Sequence, residues 1–515
     1  MKTLLSIITL NLHIIYGSGI ILAQAPQIEW QKTYGGSGYD SASAVQQTAD
    51  GGYIVAGTSE SNDGDVSGNH LGNDYWITKL NATGNIQWQK SYGGSGQETA
   101  QAVQQTVDGG YIIAGNSNST NGEVTGNLGG FEYWIVKVNS TGDIEWQRSL
   151  GGSGIDIARS IKQTADGGYI VSGNSNSTDG DVTGNHGSHD FWVVRLNEEG
   201  NILWQKSYGG SGEETAFSIK LTEDGGFVVA GHATSTDGDV TGNQGFHDYW
   251  VVRLNESGNI LWQKSLGGTS VDVAHSVQQT AEGGFIVAGQ SISNDGDVTG
   301  NHGNSTDFWI VKLDMDGNLE WQKSLGGTEL DNAQSIQQIA DGGYIVAGFS
   351  ESNDGDVTEN QGDNDYWVIK LGATGNIQWQ QSLGGSERDN ARDILRTIDG
   401  GYIIAGGSLS NDGDVTGNHG DYDFWIVKLE FDPLGIEEFK SQINVFPNPV
   451  ATVLNISAQE PINTVSIFNQ LGQKVMASSH STADLQLAVS GLPANLYLVV
   501  VETDKSVEAF KIIVQ

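Results

Sequence analysis

The stretch Ala42-Ser43-Ala44-Val45-Gln46-Gln47-Thr48 turns at Asp50-Gly51 into Gly52-Tyr53-Ile54-Val55-Ala56-Gly57. After a long polar loop the chain continues Tyr75-Trp76-Ile77-Thr78-Lys79-Leu80 and returns across Ala82-Thr83-Gly84 as Asn85-Ile86-Gln87-Trp88-Gln89-Lys90. Each run is short, rich in β-branched and aromatic residues, and bounded by Gly, Asn or Asp, which is the chemistry of a strand. Asp-Gly and Thr-Gly-Asn supply the positive-φ positions that tight hairpins need. The unit reads as four antiparallel strands.

The unit repeats. Trp30, Trp88, Trp146, Trp204, Trp262, Trp321 and Trp379 recur every 58 residues, with one step of 59. Trp76, Trp134, Trp192, Trp250, Trp309, Trp367 and Trp425 recur with the same steps, and the two series use all 14 Trp. A fixed period of this length signals a propeller or a solenoid. No helical period interrupts it between Pro26 and Asp432. Four strands repeated seven times predict an all-β, seven-bladed β-propeller over residues 26–431. The chain enters with an outer-strand sequence, Ile28-Glu29-Trp30-Gln31-Lys32, and the repeats end on a third-strand sequence, Asp423 to Leu429. That offset predicts a ring closed by the N-terminal strand, with no free edge. The units resemble the β-propeller repeats named for seven-bladed propellers, through their Trp-led strand, Gly-Gly and Gly-x-Ile-x-Val-x-Gly-like strand. The Leu-Asn-x-x-Gly-Asn-Ile-x-Trp segment is also similar to the Trp-docking motif of quinoprotein dehydrogenases. Those usually have eight blades and dedicated cofactor ligands, and neither is found in this sequence.

The ends differ in composition. Met1-Lys2, an apolar stretch from Leu4 to Leu22 and Ala23-Gln24-Ala25 predict a cleaved signal peptide over residues 1–25. Asn11, His13 and Gly17-Ser18-Gly19 argue against a stable membrane helix, and no later segment is apolar enough to span. Five of the six Pro lie at or beyond Pro433, after a linker placed at 432–441. Residues 442–515 alternate short apolar strands with Gly and Pro, which predicts a small C-terminal β-sandwich. Pro447-Asn448-Pro449, Leu471-Gly472-Gln473, Leu492-Pro493 followed by Tyr497, and Lys511-Ile512-Ile513-Val514 occur there in order. This tail resembles the type A C-terminal sorting domain of the type IX secretion system. The resemblance implies the type IX machinery as a partner, and release or display at the outer-membrane surface of a Gram-negative bacterium.

The net charge of −38, from 24 Lys and Arg against 62 Asp and Glu, repels phosphate backbones and anionic lipid heads, so nucleic acid is an unsuitable partner. The absence of Cys excludes disulfides, Cys-ligated metals and thiol catalysis.

Two sets of residues are candidates for chemistry. The long loop after the second strand carries Asp63, Asp65, Gly68 and Asp74, oxygen ligands at positions 1, 3 and 12 with Ser or Thr at 5 and Gly at 6. The register recurs at Asp179, Asp181 and Asp190, at Asp237, Asp239 and Asp248, and at Asp412, Asp414 and Asp423. It resembles the calcium loops of integrin α-chain propellers, which implies Ca2+; the plain alternative is Asp-Gly turns with Asp74 capping backbone amides. An acid series in the other loop, Asp40, Glu98, Asp156, Glu214, Asp272, Asp331 and Asp389, either rings the channel mouth or closes each loop by hydrogen bonds. The second set sits where repeats disagree: Ser43, Gln101, Arg159, Phe217, His275, Gln334 and Arg392 occupy one position of the innermost strand. Arg159, Phe217, His275 and Arg392 are the expected ligand-binding residues. The Trp series is better read as packing between blades.

Catalysis wants an asymmetric constellation. Nearly every acid has six counterparts, and neither Gly-x-Ser-x-Gly nor His-Glu-x-x-His occurs. The sequence therefore predicts an exported, non-enzymatic propeller that binds or adheres to an extracellular glycan or protein. The alternative is a secreted hydrolase or lyase acting on polysaccharide or peptide.

Overall fold

A computed structural model describes residues 24–432, 443–447, 449–469, 474–493, 495–503 and 507–514. The expected signal peptide up to residue 23, residues 433–441 of the expected linker, Asn448 and Leu471-Gly472-Gln473 lie outside the described residues. The chain divides into two compact units, Met1–Asp432 and Pro433–Gln515.

In the first unit the turn chemistry works as its residues dictate. Gly51 takes φ +82° with open space around it, and a Cβ on Gly52 would meet the Leu80 carbonyl at 2.2 Å. Asp50 accepts from the Gly52 amide at 3.0 Å, so the turn is capped from within. The strands it joins, Asp40–Gln47 and Tyr53–Ser59, pair antiparallel with Asp74–Leu80 and Ile86–Tyr92 to complete a four-stranded sheet. Seven such sheets follow one another, and the seventh is assembled from Asp389–Arg396, Tyr402–Ser408, Asp423–Leu429 and the N-terminal Ile28–Tyr34. The unit is thus all-β, with repeated four-stranded sheets consistent with a β-propeller.

Burial grades outward. The two middle strands of the first sheet are buried along their whole length, the innermost alternates, and the outermost is half-exposed. The third-strand Trp residues are fully buried and pack at a tilt against an aromatic ring of the preceding sheet: Tyr75 on Trp134 at 4.6 Å, Phe191 on Trp250 at 4.5 Å, Tyr366 on Trp425 at 4.5 Å. Phe424 of the seventh sheet meets Trp76 of the first in the same way, at 4.5 Å. The outer Trp series packs edge-on, as Trp88 does on Tyr111. Every Trp of both series therefore serves contact between neighbouring sheets, where large aromatic faces bury most area.

In the second unit Ile443–Phe446, Val453–Phe468, Lys474–Ala488, Asn495–Thr503 and Val507–Val514 join in one five-stranded sheet. Its long hairpin loses register between Ser457 and Ile462. Leu454 and Ile456, Val465 and Ile467, and Val499 and Val501 alternate into one core, as a period of two requires.

Candidate functional site

The innermost strand of every sheet contains a slip in its ladder. In the first sheet Ala42 pairs with Gly57 and Ala44 with Ala56, which leaves Ser43 between them without a partner. The same slip leaves out Gln101, Arg159, Phe217, His275, Gln334 and Arg392 in the other six. A bulge bends the strand and re-aims the extra side chain. All seven bulge residues line one cavity of about 320 Å3, together with Tyr39, Ser41, Thr58 and Thr99. The four expected ligand-binding residues, Arg159, Phe217, His275 and Arg392, are therefore brought together.

The cavity is cationic in a strongly acidic chain. The Arg159 guanidinium sits 5.4 Å from the centre of the Phe217 ring, and Phe217 meets His275 edge-on at 4.9 Å. Arg392 donates to the Gln334 side-chain oxygen at 3.3 Å. Burial, followed by the positive charges of Arg392 and Arg159, pushes His275 down to about 3, so its imidazole is neutral. Nε of Arg159 and Nε2 of His275 are buried without a hydrogen-bond partner. Ala44, Ala102, Ser160, Ser218, Ser276, Ser335 and Asp393, each next after a bulge residue, line an adjoining cavity of about 190 Å3. Asp393 accepts from the Val45 amide at 3.1 Å and from Ser335, tying the seventh sheet to its two neighbours. A cavity of about 550 Å3 carries Lys162 and Lys220. Burial, then repulsion from Lys220, pulls Lys162 down to about 7.

The acidic loops have a different arrangement. Asp63, Asp179, Asp237 and Asp412 each accept the amide of the Ser after Gly-Gly, at 2.7 Å in all four. Asp181, Asp239 and Asp414 accept from the first Gly of the same turn at 3.3 Å, and the Asp65 amide donates to Gly35. The twelfth-position acids turn the other way, toward the following sheet. Oδ1 of Asp74 and Oε2 of Glu98 stand 2.6 and 2.4 Å from the point where Gly93 would carry a Cβ. Asp190, Asp248 and Asp423 approach Gly209, Gly267 and Gly35 likewise. The carboxylates of one register thus diverge, and among the described residues no group of three His, Cys, Asp or Glu side chains is placed to hold a metal ion. As arranged, they do not fit a calcium cage of six or more oxygens. The other acid series closes loops: Asp40 and Asp156 accept from Gly36 and Gly152 and from Ser61 and Ser177.

Two features escaped the sequence reading. The bulge has no residue signature of its own, since Ala-x-Ala and Ala-x-Ser also suit a regular strand. The second is a stack leading away from Phe217: His232 at 5.9 Å, His247 on His232 at 4.5 Å, and the exposed Phe246 on His247 at 4.6 Å. Both nitrogens of His232 are buried and unpartnered. Its position reads Thr58, Asn116, Asn174, His232, Gln290, Phe349 and Gly407 across the repeats, so disagreement between repeats was again the available signal.

In the tail, the Tyr497 hydroxyl donates to the Pro493 carbonyl at 2.9 Å, which joins the two ends of the Leu-Pro-x-x-x-Tyr motif. Residues 444–515 match the profile of the secretion system C-terminal sorting domain. The tail is a type IX sorting domain. A protein that carries this sorting domain is secreted or held at the cell surface of a Gram-negative bacterium. Residues 189–411 match the outer membrane protein assembly factor BamB profile, so the repeats are similar to that family. The regulatory protein FlaEY of Caulobacter vibrioides is 25% identical over 223 residues, 40% of this chain and 23% of that protein. The chain thus spans under a quarter of that relative's length. Among solved structures, PorZ, a surface component of the type IX secretion system of Porphyromonas gingivalis, aligns over 94% of this chain and 60% of its own, with 11% identity and a TM-score of 0.40. A puromycin hydrolase aligns over 82% of this chain and 59% of its own, with 9% identity and a TM-score of 0.42.

Proposed function

We propose that the protein is an exported ligand-binding module, a closed seven-bladed propeller whose channel mouth takes up an extracellular glycan or protein group. In this reading residues 1–25 direct export and are removed, and the sorting domain, folding as a small sandwich around its bent hairpin, engages the type IX machinery. The observation that carries the reading is the convergence of seven repeat-variable bulge residues on one cavity, where blade-building positions are otherwise alike. Two guanidiniums, a neutral imidazole, amides and hydroxyls are hydrogen-bond donors and acceptors suited to holding a polar ligand. The mature chain screened against a glycan panel should retain a defined subset of ligands, and Phe217→Ala with His275→Ala should abolish that retention. Retention unchanged by these substitutions would move the site elsewhere. Conversion of a retained ligand would instead favour the hydrolase or lyase reading.

A further inference from the structure

We propose that the channel-mouth cavity selects a small hydroxylated carboxylate, a sugar acid of the uronate type, over its neutral counterpart. The inference rests on the reading of the mouth as a ligand site.

Its first support is an exception to the charge pairing of this molecule. The third strand of each sheet carries a buried cation that is matched by an acid of the first turn, as Lys79 is by Asp50 at 2.9 Å and Lys137 by Asp108 at 2.8 Å. Arg195 and Arg253 are matched in the same way by Asp166 and Asp224. Arg159 and Arg392, on the innermost strands, have no such match: among the described residues no carboxylate lies within ion-pair distance of either, in a chain of net charge −38. They also feel each other, since Arg392 is among the influences that lower Arg159. An anion between them would remove that repulsion and satisfy both forks.

The second support is unsatisfied polarity. Nε of Arg159 and Nε2 of His275 are buried and unpartnered, and a buried polar group left unpaired costs more than a satisfied one. Stacking on Phe217 holds the Arg159 guanidinium at the cavity, away from the acidic surface. The third support is size and mixture. At about 320 Å3 the cavity is larger than an inorganic anion needs and sits at the lower end for organic ligands. Gln101 offers a donor and an acceptor and Ser43 a hydroxyl, which matches hydroxyls rather than a second charge.

The test uses the mature full chain and calorimetric titration at fixed ionic strength, with glucuronate, glucose and sulfate as probes. Glucuronate should bind at least tenfold more tightly than glucose, and sulfate should compete poorly at equal concentration. Arg159→Gln and Arg392→Gln should each lose at least tenfold in glucuronate affinity, and the ratio of glucuronate to glucose affinity should fall toward one. Arg392 is exposed, so its substitution keeps the test valid if Arg159→Gln fails to fold. Equal binding of glucose and glucuronate, abolished by Phe217→Ala with His275→Ala, would overturn the acid preference and leave the site in place. Sulfate binding as tightly as glucuronate would reduce the cavity to a general anion site and overturn it too. Glucuronate binding that neither Arg substitution weakens would place recognition elsewhere and sink both readings.

Discussion

Where the long loop meets the third strand, two carboxyl side chains from neighbouring sheets share one buried spot beside a Gly. The pairs are Asp74 with Glu98, Glu132 with Asp156, Asp190 with Glu214, Asp248 with Asp272, Asp307 with Asp331, Asp365 with Asp389, and Asp423 with Asp40. Every member is at most 1% exposed. Burial is the largest cause of the raised values, and in Asp74, Glu132, Asp248, Asp365 and Asp423 the partner acid reinforces it. Four sheets place an imidazole against the pair: His70, His186, His302 and His419 have Nδ1 at 2.7 to 2.8 Å from the acid. There Asp74 and Asp423 are raised only to about 6. Where Leu128, Gln244 or Gln361 stands instead, Glu132, Asp248 and Asp365 reach about 7. A carboxyl raised in the folded state holds a proton that the unfolded chain releases near pH 4. Its stability contribution is therefore full below pH 4 and is lost as pH rises through about 7. Around Asp248 the facing groups are the Gln244 amide, Asp272 and Asp297, none of them cationic. Asp248→Asn imitates the protonated form. Its melting temperature relative to the unsubstituted protein should increase between pH 5 and pH 8, and a difference constant with pH would rule out the raised Asp248 carboxyl.

At the scale of elements, the two Trp series make a graded prediction. Trp134 is fully buried between sheets, and Trp134→Ala should cost about 3–5 kcal/mol in denaturant unfolding. Trp88 is half-buried and packs edge-on, so Trp88→Ala should cost distinctly less. Equal costs would mean that the outer strand contributes as much to the core as the third. The acidic loops are elements of another kind, closed by hydrogen bonds to the Gly-Gly turn. Their melting contribution should therefore be the same in millimolar calcium and in chelator. A rise with calcium that Asp181→Ala reduces would show that the loops rearrange to gather their divergent carboxylates.

The whole molecule depends on contacts between residues nearly the full repeat region apart. Ile28–Tyr34 pairs with Asp423–Leu429, and Gln47 accepts from the Ile398 amide at 2.8 Å. Removing residues 28–34 exposes one edge of the third strand in the seventh sheet. The truncated protein should melt lower and associate through that edge on size-exclusion chromatography. Unchanged melting and a monomeric profile would make the first strand dispensable. At the other end, removal of residues 436–515 should leave the protein in the periplasm of its host. Its normal appearance outside the cell would show that another signal carries export.

The four-stranded unit, its seven occurrences and the phase offset of the N-terminal strand were legible in Trp spacing and Asp-Gly turns. These are local signals: a strand needs only its own alternation, and a hairpin only its turn residues. The tail was legible for a related reason, since its motifs are contiguous. Disagreement among the repeats also marked Arg159, Phe217, His275 and Arg392, because a position that builds every blade alike cannot vary freely. The direction of those side chains was decided by the ladder slip, which requires the partner strand to be in place. The acids at positions 1, 3 and 12 are adjacent in the sequence yet separate in space. Asp63 turns to one Gly-Gly and Asp74 to the next, because the third strand carries Asp74 across to the following sheet. The shared buried spot of Asp74 and Glu98 arises only when two sheets meet, and a one-dimensional chain has no record of which face a loop will cover.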